Sequence, residues 1–212
     1  VQKVRVCDFA FEHSRQAPPS GGQILPELYD VSFIGTPTPD GNKVRPNRVQ
    51  FLAKLSDKLP GKLAVFGHGW KKYERELKFA KYIGPAQWGE AYNKAIWSSK
   101  ISLSFVNWAQ ADETSHRAFE ITACRGLLLA ERSPRLEESF KEDVEAIFFN
   151  GVDECVSKVQ AILDNRIDRP TVIQAGHLRA MQSGYDNDSR LRYLISRTAE
   201  LREFFPAKSI AI

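Results

Sequence analysis

From residue 30 onward, short apolar runs alternate with segments whose apolar residues recur at helical spacing. The apolar runs predict strands at 31–34, 63–66, 82–83, 101–105, 126–130 and 146–149. The intervening segments predict helices at 48–59, 88–98, 115–124, 134–140 and 152–163. Strands that alternate with helices are typical of βαβ units. The pattern therefore predicts an α/β fold with a Rossmann-like parallel sheet flanked by helices.

The two ends of the chain differ from this pattern. Two last helical segments, 171–183 and 189–204, have no strand between them and predict a helical C-terminal tail. Residues 1–29 are poorly periodic, and 17–22 contain two prolines, a serine and two glycines, a composition typical of turns and linkers. We therefore expect a lead-in and linker over 1–29, and one ligand-binding domain over 30–212.

Composition excludes several classes of protein. With 212 residues, 42% hydrophobic and 26% charged, the chain is typical of a globular domain rather than a fibrous or disordered protein. A net charge of +4 is too small to indicate a nucleic acid or an anionic membrane as partner. Three widely spaced cysteines without a CxxC motif favour a reducing, cytoplasmic location, and no apolar run is long enough for a transmembrane segment.

Charge is unevenly distributed along the chain. Residues 43–81 carry eleven basic and three acidic side chains, whereas residues 111–154 carry five basic and eleven acidic ones. A site between these regions suits a ligand with an anionic end and a hydroxyl-rich end. In a doubly wound sheet, ligands bind outside the carboxyl ends of the strands, so the loops that follow the strands are where such a site is expected.

The first of these loops, 35–48, is long, polar and basic. Gly35 permits close approach of the backbone to a phosphate, and Arg48, at the start of a helix, adds a charge-assisted contact. The loop matches neither the P-loop nor the dinucleotide-binding glycine pattern, so neither P-loop hydrolysis nor nicotinamide binding is indicated. The alternative is a surface loop with solvated charges.

Histidine and aromatic residues offer weaker signals. His68 stands between two glycines after the second strand. Its imidazole either faces a ligand across a tight turn or belongs to a turn without a binding role. No metal-binding motif is present, and the four histidines are scattered. Tyr92 and the other aromatic residues follow core-like spacing and are interpreted as packing, and His177 is interpreted as a structural residue.

The segment 112–120 is the most informative. A helix that starts near Thr114 or Ser115 presents free N–H groups, which together with Arg117 form an anion-binding end. Glu120 lies about one and a half turns further on, where its carboxylate can accept two hydrogen bonds from vicinal hydroxyls such as those of a ribose. In the alternative interpretation, the acidic residues ahead of the helix complement its dipole and Glu120 is solvated.

Seven short motifs, in order and spacing, resemble the CgeB-like (spore maturation protein) glycosyltransferases, in their group 1 type C-terminal domain. They are 30–35 (DVSFIG), 48–52 (RVQFL), 65–70 (VFGHGW), 92–95 (YNKA), 117–124 (RAFEITAC), 126–131 (GLLLAE) and 175–177 (AGH). The resemblance runs from Asp30 to Leu194 and implies the C-terminal half of a GT-B enzyme. It further implies a retaining, metal-independent transfer of sugar from a nucleoside diphosphate sugar, with no cofactor and with a UDP-sugar favoured.

The resemblance also implies the roles of individual residues. Asp112 and Glu120 match the ends of the family's acidic E-x7-E element, here D-x7-E, and with Arg48 they form the implied catalytic set. Asp112 stands in place of glutamate, and Arg125 stands where glycine is common. The implied donor-binding residues are Gly35 near the diphosphate, Gly84 and Pro85 near the base, Thr114 and Ser115 by the sugar and diphosphate, Glu120 on the ribose, and His68 and Arg117.

Residues 9–12 resemble the connection between the two domains of such enzymes, and the chain begins with Val1. We therefore expect a piece of a longer polypeptide whose N-terminal domain binds the acceptor, which is a glycan, a lipid or a protein. The isolated domain is then expected to bind donor without transferring sugar. The alternatives are a non-catalytic Rossmann-like binding or interaction module and, less favoured, a sugar-nucleotide epimerase.

Overall fold

A computed structural model describes residues 7–23, 25–37, 47–85, 87–107 and 112–204. Six parallel strands form one sheet in the order β3-β2-β1-β4-β5-β6. The strands are β1 (Tyr29–Ile34), β2 (Leu63–Phe66), β3 (Tyr82–Gly84), β4 (Ser99–Ser104), β5 (Leu128–Glu131) and β6 (Ile147–Phe149). The α-helices are α1 (Arg48–Lys58), α2 (Glu90–Trp97), α3 (His116–Ala123), α4 (Pro134–Ser139), α5 (Gly151–Leu163), α6 (Arg169–Gln182) and α7 (Asn187–Phe204). The predicted fold class is confirmed.

Each predicted strand and helix is present, with ends that differ by at most two residues. The predicted helix at 88–98 begins later, at Glu90, and the cause is local. Gly89 precedes it with a φ of 56°, outside the right-handed helical region. As a result Trp88 lies in the loop ahead of α2 rather than on the helix.

The hydrophobic core lies on both faces of the sheet. Side chains alternate along β1, so that Val31 and Phe33 pack into a cluster with helices α1 and α5. Ile34 packs on the opposite face into a second cluster, which contains Phe119 of α3 and Phe148 of β6. A parallel sheet covered on both faces explains why the strands appear in the sequence as nearly continuous apolar runs.

The lead-in segment contacts the body of the domain. Phe11 is 1% exposed in the second cluster, and its N–H donates to the Tyr185 carbonyl oxygen at 3.0 Å. The Asp8 carboxylate accepts a hydrogen bond of 2.7 Å from Arg135. These contacts anchor residues 8–11, while the domain boundary at residue 30 stays a prediction.

Within the described ranges, no helix is long and apolar enough to cross a membrane. The three cysteines form no disulfide, since Cys7, Cys124 and Cys155 are all free thiols, the last two buried. Burial raises the pKa of both buried thiols, so they remain protonated at neutral pH.

His177 of α6 is buried against α3. Its ring Nδ1 lies 3.2 Å from the Thr122 carbonyl oxygen, and its residue is 8% exposed. Burial lowers the pKa of His177, and the nearby Arg125 acts in the same direction, although the carbonyls of Thr122 and Ala123 oppose it. The imidazole is therefore held neutral as a structural residue of the α3–α6 contact.

This burial predicts a pH-dependent stability. In the unfolded chain, His177 binds a proton below a pH of about 6.5, the ordinary pKa of histidine. In the folded chain its pKa is lower, so the unfolded chain binds more protons in this range. The free energy of unfolding should therefore fall as the pH drops from 7.5 towards 5, a range above the carboxylate titrations. Urea denaturation of the wild type and His177→Gln at several pH values measures it. Equal pH slopes in both proteins would contradict the prediction.

Candidate functional site

A cleft of about 570 Å³ opens at the carboxyl ends of β1, β2 and β4. After edge strand β3, the chain crosses back over the sheet to β4, which lies on the other side of β1. Such a reversal of strand order is the switch point at which these sheets bind ligands, and the cleft lies beside it. Its wall includes eight predicted site residues: Gly35, Arg48, His68, Asp112, Thr114, Ser115, Arg117 and Glu120. The cleft wall thus contains residues of both the basic segment, 43–81, and the acidic segment, 111–154.

Two predicted residues are not among those that line the cleft. Gly84 ends β3 and Pro85 follows it, whereas the wall on this side is formed by Gln87, Trp88 and Gly89 further along the same loop. Most of the basic loop after β1, residues 38–46, and residues 108–111 lie outside the described part of the chain.

The ends of β1 and β2 approach each other closely at the floor of the cleft. The Gly35 N–H donates to the Phe66 carbonyl oxygen at 2.8 Å, and the Trp70 indole N–H donates to the Gly35 carbonyl oxygen at 2.6 Å. A Cβ atom on Gly67 would lie 1.9 Å from that same carbonyl oxygen. Glycine at 67 is therefore required for the close approach, which places His68 on the cleft wall.

Helix α3 begins beside the cleft, as predicted. Ser115 is its N-cap, and the Ser115 hydroxyl accepts a hydrogen bond from the Arg117 N–H at 3.3 Å. Thr114, immediately before the cap, is buried. The cap fixes where the helix starts and therefore places Arg117 and Glu120 in its first two turns, on the side that faces the cleft.

Arg117 and Glu120 form a hydrogen-bonded pair within the wall. Arg117 Nη1 donates to Glu120 Oε2 at 2.6 Å, and Arg117 Nε donates to the Ile34 carbonyl oxygen at 3.0 Å. The Arg117 guanidinium also lies over the Tyr92 ring, 4.6 Å from its centroid, and the Tyr92 hydroxyl donates to Glu120 Oε2 at 2.9 Å. Arg117 is thus held from three sides at the end of β1.

The second arginine of the site, Arg48, opens α1. Its Nη1 donates to the Thr36 carbonyl oxygen at 3.0 Å, and its guanidinium lies over the rings of Phe33 and Phe105 at 5.4 and 5.8 Å. Burial lowers the pKa of Arg48, with Arg117 adding repulsion and Glu131 opposing it. Two partly desolvated cations that repel each other favour an anionic ligand between them.

Arg117 responds differently to burial. Desolvation acts to lower the pKa of Arg117, but Tyr92 and the Glu120 carboxylate outweigh it, so that the pKa is raised. The guanidinium is therefore charged at every pH of interest. It has one carboxylate partner in the described structure and faces a cleft whose other described cations are Arg15 and Arg48.

The geometry changes the expected use of Glu120. Both hydrogen bonds from Tyr92 and Arg117 go to Oε2, and no described residue donates to Oε1. Among the described residues, therefore, Oε1 keeps its lone pairs unused, while Oε2 accepts two hydrogen bonds. The side chain is 16% exposed, so that the free oxygen remains accessible from the cleft.

Three cleft residues escape the sequence patterns. Tyr92, predicted to be a core residue, is buried as expected, but its hydroxyl also donates to Glu120. The hydroxyl group of tyrosine is the only sequence feature that points to this second role. Trp88 is 70% exposed in the loop before α2, with its ring 6.2 Å from the His68 ring. Phe9 of the lead-in stacks on the His116 ring at 4.0 Å. Neither contact has a local sequence signal.

The structure also bears on metal binding. In the described part of the chain, no three His, Cys, Asp or Glu side chains cluster closely enough to hold a metal ion. Asp112, the one aspartate among the residues that line the cleft, is accompanied there by Glu120, whose Oε2 already accepts from Arg117 and Tyr92.

Comparisons with solved structures reveal the same fold. Sucrose-phosphate synthase from Thermosynechococcus elongatus is 12% identical, with a TM-score of 0.69 over 96% of this chain and 53% of that one. Anabaena HepE in complex with UDP is 10% identical, with a TM-score of 0.60 over 82% of this chain and 49% of that one. This chain thus spans about half of each.

A third similar structure is a single domain. The C-terminal domain of a group 1 family glycosyl transferase (LpcC) from Francisella tularensis is 13% identical, with a TM-score of 0.54 over 84% of this chain and 99% of that one. At these identities the likeness concerns the fold, which is that of the C-terminal domain of GT-B glycosyltransferases.

Sequence comparison identifies the family. No curated protein matches the chain. The family model described as glycosyl transferase-like matches residues 45–196, most of the chain, including α1, the cleft-lining helix α3 and α6. The chain therefore belongs to the glycosyl transferase-like family.

Proposed function

We propose that the cleft binds the nucleoside diphosphate sugar donor of a glycosyltransferase, with a UDP-sugar favoured. The observation that carries the proposal is the convergence of two partly buried arginines, Arg48 and Arg117, with the carboxylate of Glu120 in one cleft. Such a site complements a ligand that is doubly anionic at one end and carries vicinal hydroxyls at the other. The presence of UDP in the HepE structure is consistent with this choice.

The proposed ligand orientation takes the residue roles that the family resemblance implies. The diphosphate lies by Arg48, Arg117 and the Gly35 backbone, and the ribose lies by Glu120. The donor sugar lies by Asp112, Thr114 and Ser115. The base lies towards the loop after β3, where Gln87 and the exposed Trp88 form the cleft wall.

Glycosyl transfer leaves a nucleoside diphosphate with additional negative charge on its leaving oxygen. In the proposed mechanism, the Arg48 and Arg117 guanidiniums stabilise this charge as it develops, because they are held in place before the reaction begins. Retention of configuration, independence from metal and membership of the CgeB-like subtype are inferred from the sequence motifs. We also infer that an N-terminal domain supplies the acceptor site, that the isolated domain is inactive, and that the protein is cytoplasmic.

Calorimetric titration tests the proposal directly. The chain is titrated with UDP, GDP, ADP and dTDP and with their sugars, in buffer with and without a divalent cation. We expect saturable binding of at least one nucleotide, with UDP and UDP-sugars preferred. A folded sample that binds none of them at millimolar concentration would contradict the proposed function.

The ribose assignment predicts the effect of Glu120→Ala. The substitution removes the carboxylate that is proposed to accept from the ribose hydroxyls and should weaken nucleoside diphosphate binding by about 1–3 kcal/mol, the scale of hydrogen bonds to a charged group. Titration with UDP measures the loss. Glu90→Ala on the exposed surface of α2 is a matched control, since Glu90 lies outside this cleft. Unchanged binding by Glu120→Ala would rule out the assignment.

A further inference from the structure

Two donors on one oxygen distinguish Glu120 from Asp112, the other carboxylate among the described residues that line the cleft. Tyr92 and Arg117 approach Glu120 Oε2 from different elements, α2 and α3, at 2.9 and 2.6 Å. The terminal torsion of a glutamate side chain is soft, so an unrestrained carboxylate would rotate between several orientations. Two donors on Oε2 remove that freedom and determine where Oε1 points.

Tyr92 is rigidly placed for this role. It is 4% exposed, it packs in the second core cluster beside Ile96, and the Arg117 guanidinium covers its ring. Burial raises the pKa of Tyr92 well above its usual range, so the hydroxyl keeps its proton and acts as a donor. The tyrosine therefore lies within the hydrophobic core except for one polar atom, and that atom contacts the site.

We propose that Tyr92 is a positioning residue of the donor site, whose hydroxyl, with Arg117, occupies Glu120 Oε2 and thereby presents Oε1 to the ribose hydroxyls of a bound nucleoside diphosphate. The inference rests on the proposed function and adds a residue to it. Tyr92 does not touch the ligand, and its contribution passes through the Glu120 carboxylate. Ordering a ligand-binding group before the ligand arrives strengthens binding because less conformational freedom is lost on association.

The test compares Tyr92→Phe with the wild type against two ligands, UDP and 2′,3′-dideoxyuridine diphosphate. Phenylalanine keeps the ring, its packing and its contact with Arg117 and removes only the hydroxyl. We expect Tyr92→Phe to bind UDP about fivefold to tenfold more weakly, the range for one hydrogen bond. We expect both proteins to bind the dideoxy analogue equally, because that ligand has no ribose hydroxyls for Glu120 to accept from.

Two further variants complete the design. Tyr185→Phe removes the hydroxyl of another buried tyrosine, which donates to the Ser139 carbonyl oxygen at 2.8 Å away from the cleft, and should leave UDP binding unchanged. Glu120→Gln and the double variant with Tyr92→Phe test coupling. We expect the double variant to bind UDP about as weakly as Glu120→Gln alone, since Tyr92 acts through Glu120.

The possible outcomes separate this inference from the proposed function. Wild-type affinity for UDP in Tyr92→Phe would overturn the positioning role. Equal weakening for UDP and the dideoxy analogue would also overturn it, because that result indicates a general structural effect. Additive losses in the double variant would do the same. A wild-type protein that binds no nucleotide would instead overturn the proposed function, and the role of Tyr92 with it.

Discussion

Replacing Gly67 by alanine should lower the free energy of unfolding by more than about 3 kcal/mol, a loss reached only through severe packing or backbone conflict. The new Cβ would lie 1.9 Å from the Gly35 carbonyl oxygen and 3.0 Å from the Trp70 indole nitrogen. The carbonyl belongs to the backbone and accepts the Trp70 hydrogen bond, so it cannot move without separating the ends of β1 and β2. Urea denaturation followed by tryptophan fluorescence measures the change.

Gly61→Ala is the matched control for this substitution. Gly61 also has a positive φ, of 74°, but a Cβ there meets nothing within 4 Å. The control should therefore cost only the backbone strain of a left-handed alanine, about 1–2 kcal/mol. Similar losses for both variants would show that the strand ends at Gly35 and Gly67 can separate freely, contrary to the packing described above.

The second large effect is expected at Arg117. Arg117→Ala should weaken nucleoside diphosphate binding by about 3–5 kcal/mol, within the range for truncating one partner of a buried, hydrogen-bonded charge pair. The substitution removes the cation nearest the end of β1 and also one of the two donors that hold Glu120. Titration with UDP measures the loss, and thermal denaturation establishes that the variant is folded.

Two comparisons make the Arg117 result specific. Arg117→Lys keeps the charge but cannot form the bonds to Ile34 and Glu120 together, so we expect it to recover only part of the affinity. Arg166→Ala removes an exposed arginine that pairs with Asp164 and should not change binding. Wild-type affinity for UDP in Arg117→Ala would contradict a contact between Arg117 and the diphosphate. Wild-type affinity in Arg117→Lys would show that the positive charge suffices and that the several N–H donors of the guanidinium are not needed.

Strand and helix positions were predictable because their causes are local. The predicted apolar runs are two to five residues long, and each is followed by a segment with helical spacing. A parallel sheet covered by helices on both faces buries the apolar sides of both kinds of segment. The start of α3 was predicted near Thr114 or Ser115, and in the structure Ser115 is the N-cap, whose hydroxyl satisfies a free N–H group within the same segment. The later start of α2 came from the backbone conformation of a single residue, Gly89.

The candidate site was predictable in part for a similar reason. Loops at the carboxyl ends of parallel strands meet at one edge of the sheet, so Gly35, His68 and Arg117 had to lie near one another once the strands were placed. Gly84 and Pro85, predicted near the base, are not among the residues that line the cleft, and their role stays a prediction. The loop after β3 turns so that its later residues, including Trp88, reach the cleft.

The sequence by itself determined the α/β architecture, the edge of the sheet that holds the site and most of the residues gathered there, because these follow from periodicity and chain order. Only the tertiary structure decided that Tyr92 and Arg117 both donate to one oxygen of Glu120, while no described residue donates to the other. It also decided that Gly67 must lack a side chain for β1 and β2 to meet. Both depend on atoms from separate elements within a few ångströms, and no local pattern encodes such distances.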